Sequence, residues 1–230
     1  LDESAGTDQW VQGEMNLPDM GTISLDSLND FSNVLLVTYE DFLSPTKLFL
    51  FEAPAQAPKE IRALAPKFDA SNLKVEQHFA TSKDGTSIPY FQISRQDIKL
   101  DGTNPTLLYG YGGFRDNETP YYSGSIGKGW LERGGVFALA NIRGGGEFGP
   151  RWHKAGLLEN RQKVFDDFIA VGEDLISRQV TSSAHLGIQG GSNGGLLVGA
   201  VVNQRPDLFG AALPAVGVMD MLRFHKFTIG

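Results

Sequence analysis

With 230 residues, 41% of them hydrophobic, the chain can bury one sizeable core, or one core and part of a second, which excludes a single small module. Its 20 lysines and arginines face 27 aspartates and glutamates, a net charge of -7 with no long basic run, so a nucleic-acid partner is excluded. Cysteine is absent, which removes disulfides and thiolate-ligated metal sites and leaves the compartment open.

In chain order, the opening residues Leu1 to Trp10 lack the basic and apolar regions of a secretory signal, and Leu1 is not an initiator methionine, so the expectation is a chain that begins inside a longer protein. Asn33-Val-Leu-Leu-Val-Thr-Tyr39 and Lys47-Leu-Phe-Leu-Phe51 read as antiparallel strands around the turn-prone Leu43-Ser-Pro-Thr46. Two or three strands do not make a stable domain, so residues 1–65 are expected to complete a sheet whose other strands lie upstream. The alanine, proline and lysine of Pro54 to Pro66 mark a crossing, with the domain boundary near Pro66 and a second domain over residues 66–230.

There Lys74-Val-Glu-Gln-His-Phe-Ala80 and Ile88-Pro-Tyr-Phe-Gln-Ile93 flank the Lys83-Asp-Gly85 turn as a hairpin. Thr106-Leu-Leu-Tyr109, Val136 to Ile142 and Leu186-Gly-Ile-Gln189 look like buried strands, with Ala211 to Val216 as a fourth. Lys128 to Arg133 and Val164 to Arg178 have helical spacing, and another helix is expected from Asn193 to just before Pro206. Such interleaving implies crossover connections and a mostly parallel sheet with helices on both faces. The longest strongly apolar stretch, Leu196 to Val202, falls far short of the roughly 20 residues that span a bilayer, so no membrane partner is expected.

The sharpest chemical signal is Gly190-Gly191-Ser192-Asn193-Gly194-Gly195, a G-x-S-x-G pattern between an apolar strand and an apolar helix. A nucleophilic serine needs a turn tight enough to strain its backbone and lift its hydroxyl above the sheet, and flanking glycines avoid clashes with the neighbouring strand and helix. The Asn193 amide, at the start of the helix, then points to where an oxyanion develops. The plainer alternative is a glycine-rich helix start with a serine cap. Tyr109-Gly110-Tyr111-Gly112-Gly113-Phe114 follows another strand, where an α/β-hydrolase loop supplies a second oxyanion donor; the alternative is a turn with packed aromatics. Arg143-Gly-Gly-Gly-Glu-Phe-Gly149 matches G-x-G-x-x-G, the runner-up signal for a dinucleotide site. Pro150-Arg-Trp152 interrupts where a helix should open, however, and the carboxylates at the ribose distance, Asp166 and Asp167, sit in the predicted helix.

Tyr109 to Phe114, Asn141-Ile-Arg-Gly-Gly-Gly-Glu147, Gly190 to Gly195 and Gly217-Val-Met-Asp-Met-Leu-Arg-Phe-His-Lys226 together resemble the prolyl oligopeptidase (prolyl endopeptidase) family of serine peptidases. The resemblance runs from about Lys74 to Gly230 and is weaker over residues 1–65. It implies an incomplete α/β-hydrolase preceded by the last strands of a β-propeller that admits only short peptides. It further implies a cytoplasmic or periplasmic peptidase that needs no cofactor and cuts after proline through an acyl-enzyme. Carried onto matching positions, Ser192 is the nucleophile, Tyr111 and the Asn193 amide are the oxyanion donors, and Phe114, Asn193 and Val218 line an apolar proline pocket. Arg115-Asp-Asn-Glu-Thr-Pro120 is more charged than the resemblance leads one to expect, which keeps open a relative of broader specificity. The branch that prefers basic residues fits Asn193 and Tyr111-Gly-Gly113 less well.

A serine hydrolase of this type needs an aspartate and then a histidine after the serine. Only Asp207, Asp220 and His225 follow Ser192 in that order, and the later strands that should carry an acid and a base have no room before His225. His78, His153, His185 and His225 are therefore read as structural, and the acid and base are expected beyond Gly230, in the remainder of the polypeptide. A non-catalytic hydrolase-like module is the third class; such modules tend to lose the serine that is present here.

Overall fold

The structure is a computed structural model that describes residues 13–28, 31–52 and 57–227. The opening stretch Leu1 to Trp10, the Pro54 to Gln56 part of the expected crossing and the end of the resemblance at Gly230 lie outside the described residues. The chain forms two compact units, one reaching to Phe68 and including Thr119–Gly124, the other made of Asp69–Glu118 and the residues from Ser125 onward.

The first unit is a four-stranded antiparallel meander, β1 (Thr22–Ser27), β2 (Val34–Glu40), β3 (Lys47–Glu52) and β4 (Lys59–Ala63), paired in sequential order. β4 lies within what the sequence marks as a crossing; its residues are exposed throughout, so no apolar alternation betrays it. Alternation on β2 buries Val37 and Tyr39, and the Tyr39 hydroxyl donates to Asp41 Oδ2 at 2.9 Å, so the buried phenol is satisfied. The other Asp41 oxygen accepts the amides of Leu43 (2.7 Å) and Ser44 (2.6 Å), which fixes the turn into β3. Thr119–Gly124 packs on this sheet: Tyr122 stacks on Phe68 at 5.0 Å, and Pro120 accepts a bond from the Thr22 hydroxyl at 2.6 Å.

The second unit is built on a six-stranded sheet. Its hairpin, β5 (Leu73–Thr81) and β6 (Ser87–Arg95), joins the sheet through β6, which runs antiparallel to both β5 and the neighbouring strand of the remainder. The strands β7 (Thr106–Tyr109), β8 (Val136–Ala140), β9 (Leu186–Gly191) and β10 (Ala211–Ala215) are mutually parallel, and the sheet order is β10-β9-β7-β8-β6-β5. Four helices connect them: α1 (Gly124–Gly129), α2 (Pro150–Lys154), α3 (Arg161–Ser177) and α4 (Asn193–Gln204). The helix expected over Lys128 to Arg133 is split, with α1 ending at Gly129 and a single 3₁₀ turn at Leu131–Arg133, because glycines stand at both ends of that stretch.

α3 forms because Val164, Phe168, Val171 and Leu175 recur every three to four residues and are all fully buried. They meet Leu197, Val198 and Val201 of α4 and Leu108, Ala138, Ala140 and Ile188 of the sheet in one core. Each large side chain so buried contributes about 2 kcal/mol. α4 ends at Gln204, two residues before Pro206. From β7 the chain steps one way to β8, then crosses back to β9 and on to β10. Right-handed crossovers therefore put α1 on the face opposite α3 and α4, and a crevice opens between the carboxyl ends of β7 and β9.

One buried face carries charge. Asp167 of α3 is wholly buried, and its oxygens accept the Ser82 hydroxyl (2.6 Å), the Arg143 amide (3.1 Å) and the Arg143 guanidinium (2.5 and 2.8 Å). Arg143 also reaches Asp84 at 2.6 Å, which holds that carboxyl below its ordinary range. Breaking such a fully bonded pair typically costs about 3–5 kcal/mol, so it anchors the β5–β6 turn, α3 and the loop after β8 together.

Candidate active site

β7 and β9 pair in parallel with Tyr109 opposite Gln189, and the Gly110 amide donates to the Gln189 carbonyl at 3.2 Å. Both strands therefore deliver their following loops to the same level at the crevice. On β9 the chain turns through Ser192 with φ 54° and ψ -115°, and α4 begins at once with Asn193. A non-glycine residue there costs about 1–3 kcal/mol, strain found where structure holds a group for chemistry. Ser192 is exposed, and its amide donates to the Ala215 carbonyl of β10 at 2.9 Å.

Backbone proximity explains two of the glycines. A β-carbon on Gly194 would lie 2.6 Å from the Gly110 carbonyl oxygen, and one on Gly190 would meet the backbone of Gly194 and Gly110. The elbow and the loop after β7 thus touch main chain to main chain.

That contact brings Tyr111 to the serine: the Ser192 hydroxyl and the Asp116 carboxylate both lie near enough to its phenol to bear on its titration. Burial, with the negative charge of Asp116, pushes the phenol above its ordinary value, while the nearby Ser192 hydroxyl pulls the other way. The phenol keeps its proton at neutral pH and can donate. As the first residue of α4, Asn193 has an amide without an acceptor inside its helix. Its side chain donates to the Tyr111 carbonyl at 2.6 Å and accepts from Arg161 at 2.9 Å, while Arg161 also donates to the Gly112 carbonyl at 2.8 Å. Tyr111, Ser192 and Asn193 are therefore brought together. Phe114 stands farther along the same loop with φ 54° and is 75% exposed. Val218 follows Gly217, whose α-carbon lies against Gly195 and Leu196 of α4.

The glycine run after β8 has a different use. Gly144 has φ 92°, and a β-carbon on it would sit 2.5 Å from the Gly112 carbonyl oxygen; Gly146 lies equally tight against Arg115 and Asn117. The Arg115 amide donates to Gly144 (3.2 Å) and the Gly146 amide to Asp116 (3.1 Å). The run is the bed on which the loop carrying Tyr111 lies. Pro150 starts α2 rather than interrupting a helix, since proline suits a first helical position, but α2 has only five residues. Asp167, at the distance expected of a ribose ligand, is consumed by Arg143.

The four histidines have other partners. His153 Nδ1 meets the Gly144 carbonyl (2.7 Å), His185 Nδ1 meets Ser182 (2.8 Å), and His225 is exposed against the Phe224 ring. Arg178 donates to His78 Nε2 at 3.0 Å, and burial followed by that positive neighbour lowers the His78 pKa, so it stays neutral. Asp207 pairs with Arg205 and Asp220 with Arg223. Among the described residues no cluster of three or more acidic or histidine side chains can hold a metal ion, and no helix is long and apolar enough to cross a membrane.

Sequence reasoning missed three groups near the serine: Arg161, Asp116 and the half-buried pair Glu118 and Glu147. Burial first, then the charges of Glu147 and Asp116, push Glu118 up to about 7. Glu147 accepts the Glu118 amide at 2.9 Å, and its other carboxylate oxygen is buried without a partner.

Residues 122–229 match the family model described as prolyl oligopeptidase family. An uncharacterised peptidase of Sinorhizobium fredii is 52% identical over 98% of the chain, and a prolyl endopeptidase of Elizabethkingia miricola is 42% identical over 94%. Among solved structures, a prolyl endopeptidase superposes with a TM-score of 0.88 at 43% identity over 93% of the chain. A post-proline cleaving enzyme of Rickettsia typhi superposes with 0.86 at 43% over 95%. The chain spans about 31% of the length of the curated relatives it matches. Elbow, facing loop, sheet order and these likenesses agree, and the chain belongs to the prolyl oligopeptidase family.

Proposed function

We propose that this chain carries the nucleophile and oxyanion-binding part of a serine peptidase that cleaves short peptides after proline. The observation that carries the reading is the strained Ser192, exposed at the carboxyl end of β9 and neighboured by a phenol that the loop after β7 delivers. The Ser192 hydroxyl gives its proton to a base outside the 230 residues as its oxygen attacks the scissile carbonyl carbon, and the negative charge that develops on the carbonyl oxygen is met by the Tyr111 hydroxyl and the Asn193 amide. Collapse of that intermediate breaks the carbon–nitrogen bond, the base returns the proton to the departing amine, and the acyl group stays on Ser192 until water, deprotonated by the same base, removes it.

Phe114, Asn193 and Val218 form the apolar seat for the proline ring, which has no donor to satisfy. Supporting this specificity are relatives named as prolyl endopeptidases and a post-proline cleaving enzyme. Arg115 and Asp116, beside Phe114, favour broader specificity as the second reading. Domain limits at residues 1–65 and 66–230, for the end of a propeller and the start of the hydrolase, belong to the same proposal.

We infer that the acid and base lie outside the 230 residues, because the four histidines are engaged elsewhere and the chain spans about a third of its relatives. The test treats the full-length protein with a phosphonate probe and a fluorogenic peptide bearing proline before the reporter bond. Labelling at Ser192 is expected, with turnover falling on the order of 10⁴-fold or more in Ser192→Ala. The 230-residue chain alone should turn over nothing. Turnover by the isolated chain that Ser192→Ala abolishes would place the base inside it.

A further inference from the structure

We propose that Arg161 is a positioning residue of the oxyanion site, one whose forked side chain clamps the loop carrying Tyr111 to the start of α4. The inference rests on the reading of Ser192 as nucleophile.

One arm of the guanidinium donates to the Gly112 carbonyl at 2.8 Å and the other to Asn193 Oδ1 at 2.9 Å. Asn193 in turn donates to the Tyr111 carbonyl at 2.6 Å. A closed set of bonds thus joins the two successive peptides that follow the Tyr111 side chain to the residue whose amide is the other donor. A planar fork can hold two acceptors on different elements at a fixed separation, which an ammonium group cannot.

Ordinary structural reasons for this arginine fail. Arg161 is the first residue of α3, where the helix dipole is positive and a cation is unfavourable. Among the described residues Arg62, Arg115, Arg133, Arg151 and Arg161 meet no carboxylate within 4.0 Å, unlike Arg95, Arg143, Arg178, Arg205 and Arg223; the first four are exposed to solvent, whereas Arg161 is partly buried. Its bonds go to neutral oxygens, and its guanidinium carbon lies 5.3 Å from the centre of the Phe165 ring. Burial lowers its pKa, the mark of a charge held where folding alone gains little from it. The unneutralised cation is instead bonded to the Gly112 carbonyl, one residue after Tyr111, and to the side chain of Asn193.

The experiment uses the full-length protein and four variants, Arg161→Met, Arg161→Lys, Tyr111→Phe and the Arg161→Met/Tyr111→Phe double variant, with kcat, KM and thermal midpoint measured for each. Arg161→Met should lower kcat about tenfold or more with KM nearly unchanged, since a donor displaced by a fraction of an ångström loses transition-state contact before substrate binding. Arg161→Lys should fall between, and added guanidinium should restore part of the Arg161→Met rate. The double variant should be no slower than Tyr111→Phe alone by more than about twofold, because Arg161 acts through that phenol. An unchanged kcat in Arg161→Met, losses that add in full, or a lowered midpoint with no guanidinium rescue of kcat would each overturn the role. Absence of phosphonate labelling at Ser192 in the unsubstituted protein would instead overturn the nucleophile reading beneath it.

Discussion

Gly190–Gly195 and Gly144–Gly149 look alike as glycine-rich stretches after apolar strands, yet the spaces their glycines leave are filled by different things. At the elbow, Gly190 and Gly194 admit the carbonyl of Gly110, and the reward is a serine and a tyrosine hydroxyl held together. After β8, Gly144 and Gly146 admit residues 112–117, and the reward is support for the loop that carries Tyr111, from a run with no reactive group of its own. A glycine pattern therefore reports that something must come close. It does not report whether that something is a phosphate, a reacting atom or another stretch of chain.

Substitutions can break or sharpen this contrast. The largest expected effect, after removal of Ser192 itself, is at Gly194→Ala, whose new methyl would press on the Gly110 carbonyl: kcat should fall about 10²-fold because serine and phenol part company. Gly144→Ala combines a positive φ with a clash on the Gly112 carbonyl, so it should lose about 2–3 kcal/mol in denaturant unfolding, with the smaller share of its effect on kcat. An equal loss of kcat at both sites would erase the distinction between them.

Titration of Glu118 gives a gentler test. Its carboxyl is raised from 4.5 to about 7 by burial, so the folded state binds the proton more tightly than the unfolded chain. The resulting stability is fully present below about pH 4.5 and is lost as pH rises through about 7. The thermal midpoint should decline across that window, and Glu118→Gln should flatten the decline; an identical slope in both proteins would contradict the assignment. Smallest of all, Gly191→Ala should change neither stability nor kcat beyond about 0.5 kcal/mol, since a β-carbon there meets nothing within 4 Å.

Much of this architecture is legible in the sequence where the constraint is local. Period 3.6 marks α3 and α4, apolar runs mark β7 to β9, and the strained turn needs its glycines within two residues of Ser192. The strand β4 escaped because Lys59–Ala63 is exposed and carries no alternation, and β1 because only Ile23 and Leu25 alternate over Thr22–Ser27, too short a pattern to stand out. Arg161 escaped for another reason: its acceptors lie 49 and 32 residues away, and an arginine at a helix start reads as a solvated charge. Asp167 was weighed only as a possible ribose ligand, because its partner Arg143 is 24 residues distant. Partners chosen by topology leave no trace in spacing.

The bond from the Ser192 amide to Ala215 gives the nucleophile a second dependence. Its acceptor belongs to β10, which pairs in parallel with β9 from Ala211 opposite Gly187 to Ala215 opposite Gly191. Any slip of β10 along β9 would release the amide to exchange with solvent and relax the torsion it helps to hold. Deuterium uptake at this one backbone position would then read out how firmly the neighbouring strand grips the reactive turn.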